Sequence, residues 1–191
     1  MIPVSPEPEP AVFDEKVRQP GKEYLRTRPD EKTDFQPYWQ RIEKELWEAY
    51  SGVCAYFSIY FELVSGASSV DHFIPKSQVK ELVYEWSNYR LACLGANRKK
   101  QTRQVIDPFE VEPDSFFINF IDGEISVSKE KRAEYRSLCE KTIIALGLND
   151  PELKSMRVKH FENYIQKKVS LQYLKTHSPF VYSEIIRQGL K

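Results

Sequence analysis

Two stretches of the sequence, "VDHFIPKS" at residues 70–77 and "WSNYRLACLGANRKK" at residues 86–100, decide which fold the chain is expected to adopt. The first stretch ends an extended segment with an Asp-His pair. The second contains an alternation of apolar and other residues over 88–93 that is typical of a short strand. Asn97 then opens a polar helical turn. The predicted order is strand, long loop, strand and helix, which as a compact unit is a hairpin packed on a short helix.

Four polar residues of these stretches are candidates for a reactive site: Asp71, His72, Asn88 and Asn97. Hydrolysis of a phosphodiester needs a base to activate water and a cation where negative charge develops. Oxygen donors such as Asp71 and Asn97 suit magnesium, which takes few protein ligands and keeps several waters. His72 would act as the base if its ring stays neutral and an acceptor binds its other nitrogen. Asn88 is predicted to pin the long loop through hydrogen bonds to the backbone.

The basic end of the predicted short helix could meet the phosphates of a nucleic acid. Lys99 and Lys100 are therefore predicted to bind substrate, although a solvated helix face is the simpler interpretation of a basic run. Asn97 has a simpler interpretation too, as an ordinary helix N-cap. Lys76 could also contact phosphate, but an exposed loop lysine more often has no specific role.

These motifs resemble those of HNH nucleases with a ββα-metal core, whose pattern runs D-H-x-x-P, then W-S-N-x-x-L-x-C, then N-x-x-K. Stretches such as "VRQPGKEYL" and "LGLNDPEL" extend a looser likeness over most of the chain, to bacterial HNH proteins of Septu and retron-linked anti-phage systems. The resemblance implies that His72 is the general base and Asn88 the structural asparagine of the active site. It also implies that Asp71 and Asn97 bind magnesium or manganese, and that an ATPase partner protein is involved.

The cysteines depart from the pattern of this family. Many HNH relatives carry two C-x-x-C pairs that bind a structural zinc, whereas this chain keeps one cysteine of each pair, Cys54 and Cys93. Phe57 and Ala96 stand where the other two would be. Because two thiolates cannot close a tetrahedral zinc site, we expect no structural zinc. Cys54 and Cys93 are instead predicted to be buried close together, with apolar packing around Phe57 and Ala96.

The remaining sequence predicts an α+β fold in which helices surround the ββα core. Residues 1–34 are rich in proline and show no regular period, which predicts an extended or disordered N-terminal arm. Residues 35–191 are predicted to form a single nuclease domain with its core at about 50–103. Helical spacing of aromatic residues predicts a helix over 36–52, and the aromatic run at 54–64 predicts a strand or hairpin arm.

Residues 104–191 are predicted to contain a further β-hairpin and the C-terminal helices. "SFFINFIDGEISVS" at 115–128 predicts the hairpin, with a tight type I′ turn at Asp122-Gly123. Helices are predicted from Ser128, as an N-cap, to Gly147, from Pro151 to about Tyr173, and from Ser178 to about Gly189.

The composition limits the function only loosely. The 191 residues carry 28 basic and 28 acidic side chains, so no global basic field attracts nucleic acid. No apolar run is long enough to cross a bilayer and the N-terminus lacks signal-peptide features, so we expect no membrane association and a cytoplasmic location. The motifs and the resemblance together predict a metal-dependent HNH endonuclease that hydrolyses phosphodiester bonds; DNA is favoured over RNA as its substrate, and the resemblance implies a role in anti-phage defence. The alternative is an inactive nucleic-acid- or partner-binding module derived from such a nuclease.

Overall fold

The computed structural model describes residues 1–28, 30 and 34–191, and its central feature is a two-stranded antiparallel ribbon. Strand β1 (Ser68–His72) pairs with β2 (Tyr89–Cys93), so that Asp71 lies opposite Arg90 and His72 opposite Tyr89. Helix α3 (Leu94–Lys100) follows β2 without a linker and packs against both strands. The predicted order of strand, loop, strand and helix is therefore present.

The loop between the two strands is folded back on itself. It contains short 3₁₀ turns at Lys80–Leu82 and Trp86–Asn88, and the Phe73 amide extends the ribbon by donating to the Asn88 carbonyl at 2.9 Å. The sequence predicted a long loop here, which agrees with this conformation. Both ends of the loop are consequently held at the end of the ribbon that carries His72.

The N-terminal segment is not an extended or disordered arm, and that prediction is wrong for its central part. Wide π-type turns at Asp14–Arg18 lead directly into helix α1 (Gln19–Thr27). Phe13 and Val17 are fully buried, because the helix turns its apolar side toward the hairpin. Pro20 is the second residue of α1, which directly follows the wide turns.

The end of the predicted arm, at residues 29 and 31–33, lies outside the described residues. The division of the chain into an arm at 1–34 and a single domain at 35–191 stays a prediction.

The segment 36–52 is helical, as predicted, but in two pieces: a 3₁₀ turn at Tyr38–Ile42 and helix α2 (Glu43–Ala49). Gly52 ends it with φ +67°, and a Cβ at this position would come within 2.7 Å of the Trp47 and Tyr60 rings. Glycine is required there both for the left-handed backbone and for the close approach.

The predicted strand at 54–64 is absent. An isolated antiparallel bridge between Val53 and Tyr60 is all that forms, because the chain turns sharply between them and Ser58 takes φ +54°. The backbone bonds itself across this turn, with the Cys54 amide donating to the Ile59 carbonyl at 2.8 Å. The aromatic side chains that suggested a strand are still used for packing, and Tyr56 is fully buried.

The second predicted hairpin is confirmed as β3 (Phe116–Ile118) and β4 (Ile125–Val127), which pair antiparallel. Its turn is longer than the predicted type I′ turn. The Asn119 amide donates to the Glu124 carbonyl at 2.9 Å, and of the predicted turn pair only Gly123 has a positive φ.

Helices form the rest of the C-terminal part. They are α4 (Ala133–Leu146), α5 (Pro151–Ile165), α6 (Leu171–His177) and α7 (Pro179–Arg187). Helix α4 ends at Gly147 as predicted but begins at Ala133, so Ser128 is not its N-cap. The long helix predicted from Pro151 breaks into α5 and α6 where Lys167 adopts φ +55°. No helix in the described part of the chain is long and apolar enough to span a bilayer.

Two hydrophobic clusters lie on either side of the β1–β2 ribbon. The N-terminal cluster is built by the segment 13–46, by the loop between the strands and by one face of the ribbon; its buried members are Phe13, Val17, Tyr24, Phe35, Ile42, Leu46, Val70, Val83, Tyr84, Trp86, Tyr89 and Leu91. The C-terminal cluster contains Tyr56 and Ala92 together with residues of β3, β4 and the C-terminal helices. The ribbon is therefore supported from both sides by different parts of the chain.

Candidate active site

A cavity of about 490 Å³ opens along β1, between the segment that precedes α2 and helix α3. It brings together Asp71 and His72 from β1 and Asn97 from α3, three of the residues singled out in the sequence. The complete lining is Trp39, Gln40, Glu43, Ser68, Ser69, Val70, Asp71, His72, Pro75, Lys76, Ser77, Leu94, Asn97, Gln101 and Thr102.

The imidazole of His72 is held in one orientation. Its Nε2 atom lies 2.9 Å from the Val83 carbonyl oxygen, and the residue is 8% exposed. A carbonyl can only accept a hydrogen bond, so Nε2 carries the proton and Nδ1 keeps its lone pair. The rings of Trp39 and Tyr89 contact the imidazole edge-on, with centroids 4.7 and 5.0 Å away. These contacts leave Nδ1 as the nitrogen able to accept a proton.

The surroundings of His72 also keep it uncharged. Burial is the main cause that lowers its pKa to about 3, and the positive charge of Lys76 acts in the same direction. The hydrogen bond to the Val83 carbonyl opposes this lowering, and the charge of Lys100 adds to it more weakly. At neutral pH the imidazole is consequently neutral, as a general base must be before it accepts a proton.

Asp71 points to the opposite face of β1, into a polar and buried environment. Its Oδ1 atom accepts from Lys100 Nζ at 3.2 Å, and its Oδ2 atom accepts from the Tyr56 hydroxyl. Burial raises the pKa of the Asp71 carboxyl, while the Lys100 charge and the Tyr56 hydrogen bond counteract that effect. Asp71 is thus a fixed carboxylate whose negative charge is compensated inside the protein.

The prediction that Lys100 binds substrate phosphate is wrong. Lys100 is 1% exposed, and besides Asp71 its ammonium group donates to the carbonyls of His72 and Phe73 at 3.1 and 3.0 Å. A side chain enclosed in this way cannot reach a phosphate. Lys100 instead joins α3 to the end of β1.

Lys99 also lies away from the position predicted for it. It does not line the cavity, and its ammonium group forms an ion pair with Asp150, at the start of α5. Because successive residues of a helix point about 100° apart, Lys99 and Lys100 could not both face the cavity side of α3. A substrate contact by Lys99 is not supported by this placement.

Asn97 lies within α3 and not at its start, since Cys93 is the N-cap residue. The interpretation of Asn97 as a simple helix cap is therefore excluded. Its Nδ2 atom donates to Ser69 Oγ at 3.2 Å, and its Oδ1 atom accepts no hydrogen bond from the described residues. At the cavity wall, the lone pairs of this amide oxygen remain available to accept a hydrogen bond or to bind a cation.

Asn88 does not line the cavity but fixes the loop between the strands. Its Oδ1 atom accepts from the Ile74 amide at 2.8 Å, and its Nδ2 atom donates to the carbonyls of Ile74 and Leu82, each at 3.1 Å. Leu82 precedes Val83, whose carbonyl orients His72. Asn88 has the contacts expected of a residue that positions the base through the loop.

Asp71 and Asn97 are the cavity residues that could hold a small hard cation, which would keep part of its water shell. The oxygen atoms of Asp71 and Asn97 are the type of ligand that magnesium and manganese prefer. Ser68 Oγ is buried at the same wall without a protein partner, so the wall offers a further polar group to water. Among the described residues no three His, Cys, Asp or Glu side chains cluster as a metal site. Asp71, Asn97 and several waters would form the coordination shell.

The two cysteines of the lost zinc pattern lie together, as predicted, but only Cys54 is fully buried and Cys93 is half-buried. The Cys93 amide is 3.5 Å from Cys54 Sγ, Ala96 is fully buried, and Phe57 packs against the same cluster. Burial raises the pKa of Cys54, whereas a hydrogen bond from the Cys54 thiol lowers the pKa of Cys93 to about 7. The absence of a structural zinc stays a prediction.

Several residues of the site were not identified from the sequence. Trp39 was placed only in the helix predicted over 36–52, yet it contacts His72 and lines the cavity. Tyr56 was assigned to a strand, and its hydroxyl binds Asp71. The Val83 carbonyl carries no sequence signal at all. The helical spacing of Trp39 was a sign of burial, but its partner is set by the tertiary fold.

The chain is similar to a curated protein of Vibrio cholerae serotype O1 biovar El Tor that is named "Retron Vc95 putative HNH endonuclease". The two are 28% identical over 176 residues, which cover 86% of this chain and 84% of the relative. No protein-family model matches the chain. The relative confirms the resemblance to HNH endonucleases of retron-type systems that the motifs indicated.

Proposed function

We propose that the protein is a metal-dependent HNH endonuclease, that the β1–β2–α3 unit is its ββα-metal core, and that it hydrolyses phosphodiester bonds. The observation that carries this proposal is the state of His72 within the cavity. A neutral imidazole with a free Nδ1 lies in the same cavity as the oxygen donors Asp71 and Asn97. These are the groups required to activate water next to a phosphate.

His72 acts as the general base in the proposed reaction. Its Nδ1 atom accepts a proton from a water molecule in the cavity, and the hydroxide oxygen forms a bond to phosphorus as the bond to the 3′ oxygen breaks. The Val83 carbonyl keeps its hydrogen bond to Nε2–H and so stabilises the imidazolium that results. Asn88 holds the loop that provides this carbonyl.

Asp71 and Asn97 are proposed to hold magnesium or manganese. A bound divalent cation would supply positive charge at the phosphate, where negative charge develops during hydrolysis. Lys100 and Tyr56 fix the Asp71 carboxylate in advance, so little reorganisation of the protein is needed.

DNA is the proposed substrate and anti-phage defence the proposed biological role. The similarity to an HNH endonuclease named after a retron supports this role. The equal numbers of acidic and basic residues give weak affinity for DNA, so we further propose that a partner protein, an ATPase, delivers the substrate. Robust cleavage of plasmid or phage DNA by the purified chain alone would contradict the need for a partner.

Plasmid nicking in the presence of magnesium tests the proposed function. The wild-type protein is expected to nick, and His72→Ala and Asn97→Ala are expected to lose activity by about 100-fold or more, because each removes a group that acts in the transition state. Equal activity of all three proteins would disprove the site assignment. Absence of nicking by the wild type, with and without the partner, would favour the inactive binding module.

A further inference from the structure

Lys76 occupies an unusual position for a loop lysine. Its ammonium group lies 4.2 Å from the centroid of the Trp39 ring, and both residues line the cavity. None of the described carboxylates lies within ion-pair distance of Lys76. Partial burial lowers its pKa, since the ammonium group has lost part of its water shell. The charge is therefore held in place by an aromatic face and left without an anionic partner.

The charges of the other side chains at the cavity wall show why the positive charge of Lys76 matters for an anionic substrate. Among the described residues that line the cavity, Glu43 and Asp71 are acidic and His72 is neutral. Lys76 is the one basic side chain, lysine or arginine, in this set. Lys100 lies behind Asp71 and does not reach the open space. Among the described residues, an anionic substrate that enters the cavity consequently meets one side-chain cation.

Trp39 connects this cation to the proposed base. The indole ring contacts the His72 imidazole edge-on at 4.7 Å and stacks on Tyr84 at 6.2 Å with an angle of 30° between the planes. The ring that carries the Lys76 ammonium group is thus fixed by the N-terminal cluster. Lys76 and His72 both contact this one indole ring.

We propose that Lys76, held on the face of Trp39, binds a non-bridging oxygen of the scissile phosphate. This inference rests on the proposed nuclease function and adds a substrate-binding residue to it, with Trp39 as the positioning residue. A phosphate oxygen bears the negative charge that a partly desolvated ammonium group lacks as a partner. The segment before α2 then contributes to catalysis, although it lies outside the ribbon and α3.

The salt dependence of DNA binding measures such a phosphate contact directly. We would measure the Kd of a labelled DNA duplex in EDTA, in a His72→Ala background that prevents cleavage, at several concentrations between about 50 and 200 mM salt. Lys76→Met keeps the methylene stem on Trp39 but removes the charge. It is expected to reduce the slope of log Kd against log salt by about 0.9, the value for one phosphate contact.

The matched control is Lys175→Met, which removes an exposed lysine of α6 outside the cavity and should leave the slope unchanged. In the active background, Lys76→Met should lower kcat/KM by about 100-fold, because a charge that stabilises the transition state is lost. Lys76→Arg restores the charge and should recover the slope and most of the cleavage. A purely structural lysine would show no such recovery of the slope.

An unchanged slope for Lys76→Met would overturn the inference, whether or not cleavage falls. Thermal unfolding checks that the variant is folded, and Lys76→Gln replaces it in the same comparison if the methionine variant is not. Failure of the wild type to bind or cleave DNA, both with and without the partner, would instead disprove the proposed function itself. The two failures are distinguished because only the second involves the wild-type protein.

Discussion

The two faces of β1 place neighbouring residues in opposite environments. Asp71 faces a polar interior, where Lys100 and Tyr56 bind its carboxylate. His72 faces an aromatic enclosure formed by Trp39 and Tyr89 and receives one hydrogen-bonding partner, the Val83 carbonyl. The first environment stabilises the negative charge of the Asp71 carboxylate, whereas the second keeps the His72 imidazole uncharged. A strand achieves this separation within two residues because successive side chains point to opposite sides.

Different parts of the chain build the two faces. The aromatic face is covered by the N-terminal cluster, which includes residues of the segment 13–46. The polar face is covered by α3 and by Tyr56, which follows the turn after α2. Substitutions can therefore be placed on an element that covers one face or the other, which makes the comparison testable.

Loss of the charge behind Asp71 is expected to have the largest effect. Lys100→Met leaves a buried carboxylate without its cation, which should lower the free energy of unfolding by about 3–5 kcal/mol. Chemical denaturation measures this loss. Lys99→Met is the matched control, because its ion pair with Asp150 is partly exposed and worth about 0–1 kcal/mol. Similar losses for the two variants would show that the Asp71 face is not electrostatically organised as described.

Asn88→Ala should affect the His72 face alone. The variant loses hydrogen bonds to Ile74 and Leu82, which should lower the free energy of unfolding by about 2–3 kcal/mol and reduce cleavage by releasing the Val83 carbonyl. Asn149→Ala is a suitable control.

Asn149 clamps the backbone of Ile125 by two similar hydrogen bonds, far from the cavity lining. Its replacement should lower stability comparably but leave cleavage unchanged under conditions where both variants are folded. Equal cleavage by the Asn88 and Asn149 variants would remove the positioning role of Asn88.

The neutral state of His72 predicts a smaller effect, on the pH dependence of stability. Its pKa is about 3 in the folded protein and about 6.5 in the unfolded chain. Below pH 6.5 the unfolded chain binds a proton that the folded protein does not, so His72 lowers the free energy of unfolding by about 1.4 kcal/mol for each pH unit down toward pH 3. Urea denaturation of the wild type and of His72→Gln at pH 7, 6 and 5 isolates this contribution. Parallel curves for the two proteins would mean that His72 titrates normally.

The residues of the candidate site were predictable where the chemistry is carried by local patterns. Asp71 and His72 end a strand and Asn97 lies on the following helix, and the hairpin geometry brings them into one cavity. Lys100 was misplaced because a basic run does not reveal which lysine faces inward. Its spacing of three residues from Asn97 puts both on the same side of α3, and this spacing does not show that Lys100 ends on Asp71 inside the protein.

Other features depend on tertiary contacts that the sequence does not encode locally. The N-terminal segment was expected to lack structure because of its prolines, yet Phe13 and Val17 are buried against the ribbon. The run at 54–64 has the composition of a strand but turns at Ser58. Trp39 was expected only within a helix, and its contact with His72 follows from how the segment before α2 crosses the end of β1. In each case packing against a distant segment outweighed the local pattern.

Manganese binding by titration calorimetry, measured together with plasmid cleavage, tests the division of labour between the two faces most directly. His72→Ala should bind manganese as the wild type does while its cleavage falls by about 1000-fold, because the base is removed and the ligands remain. Asn97→Ala and Asp71→Asn should bind manganese about tenfold or more weakly and also lose cleavage. If His72→Ala loses manganese binding as strongly as Asn97→Ala, the assignment of separate roles to the two faces of β1 is contradicted.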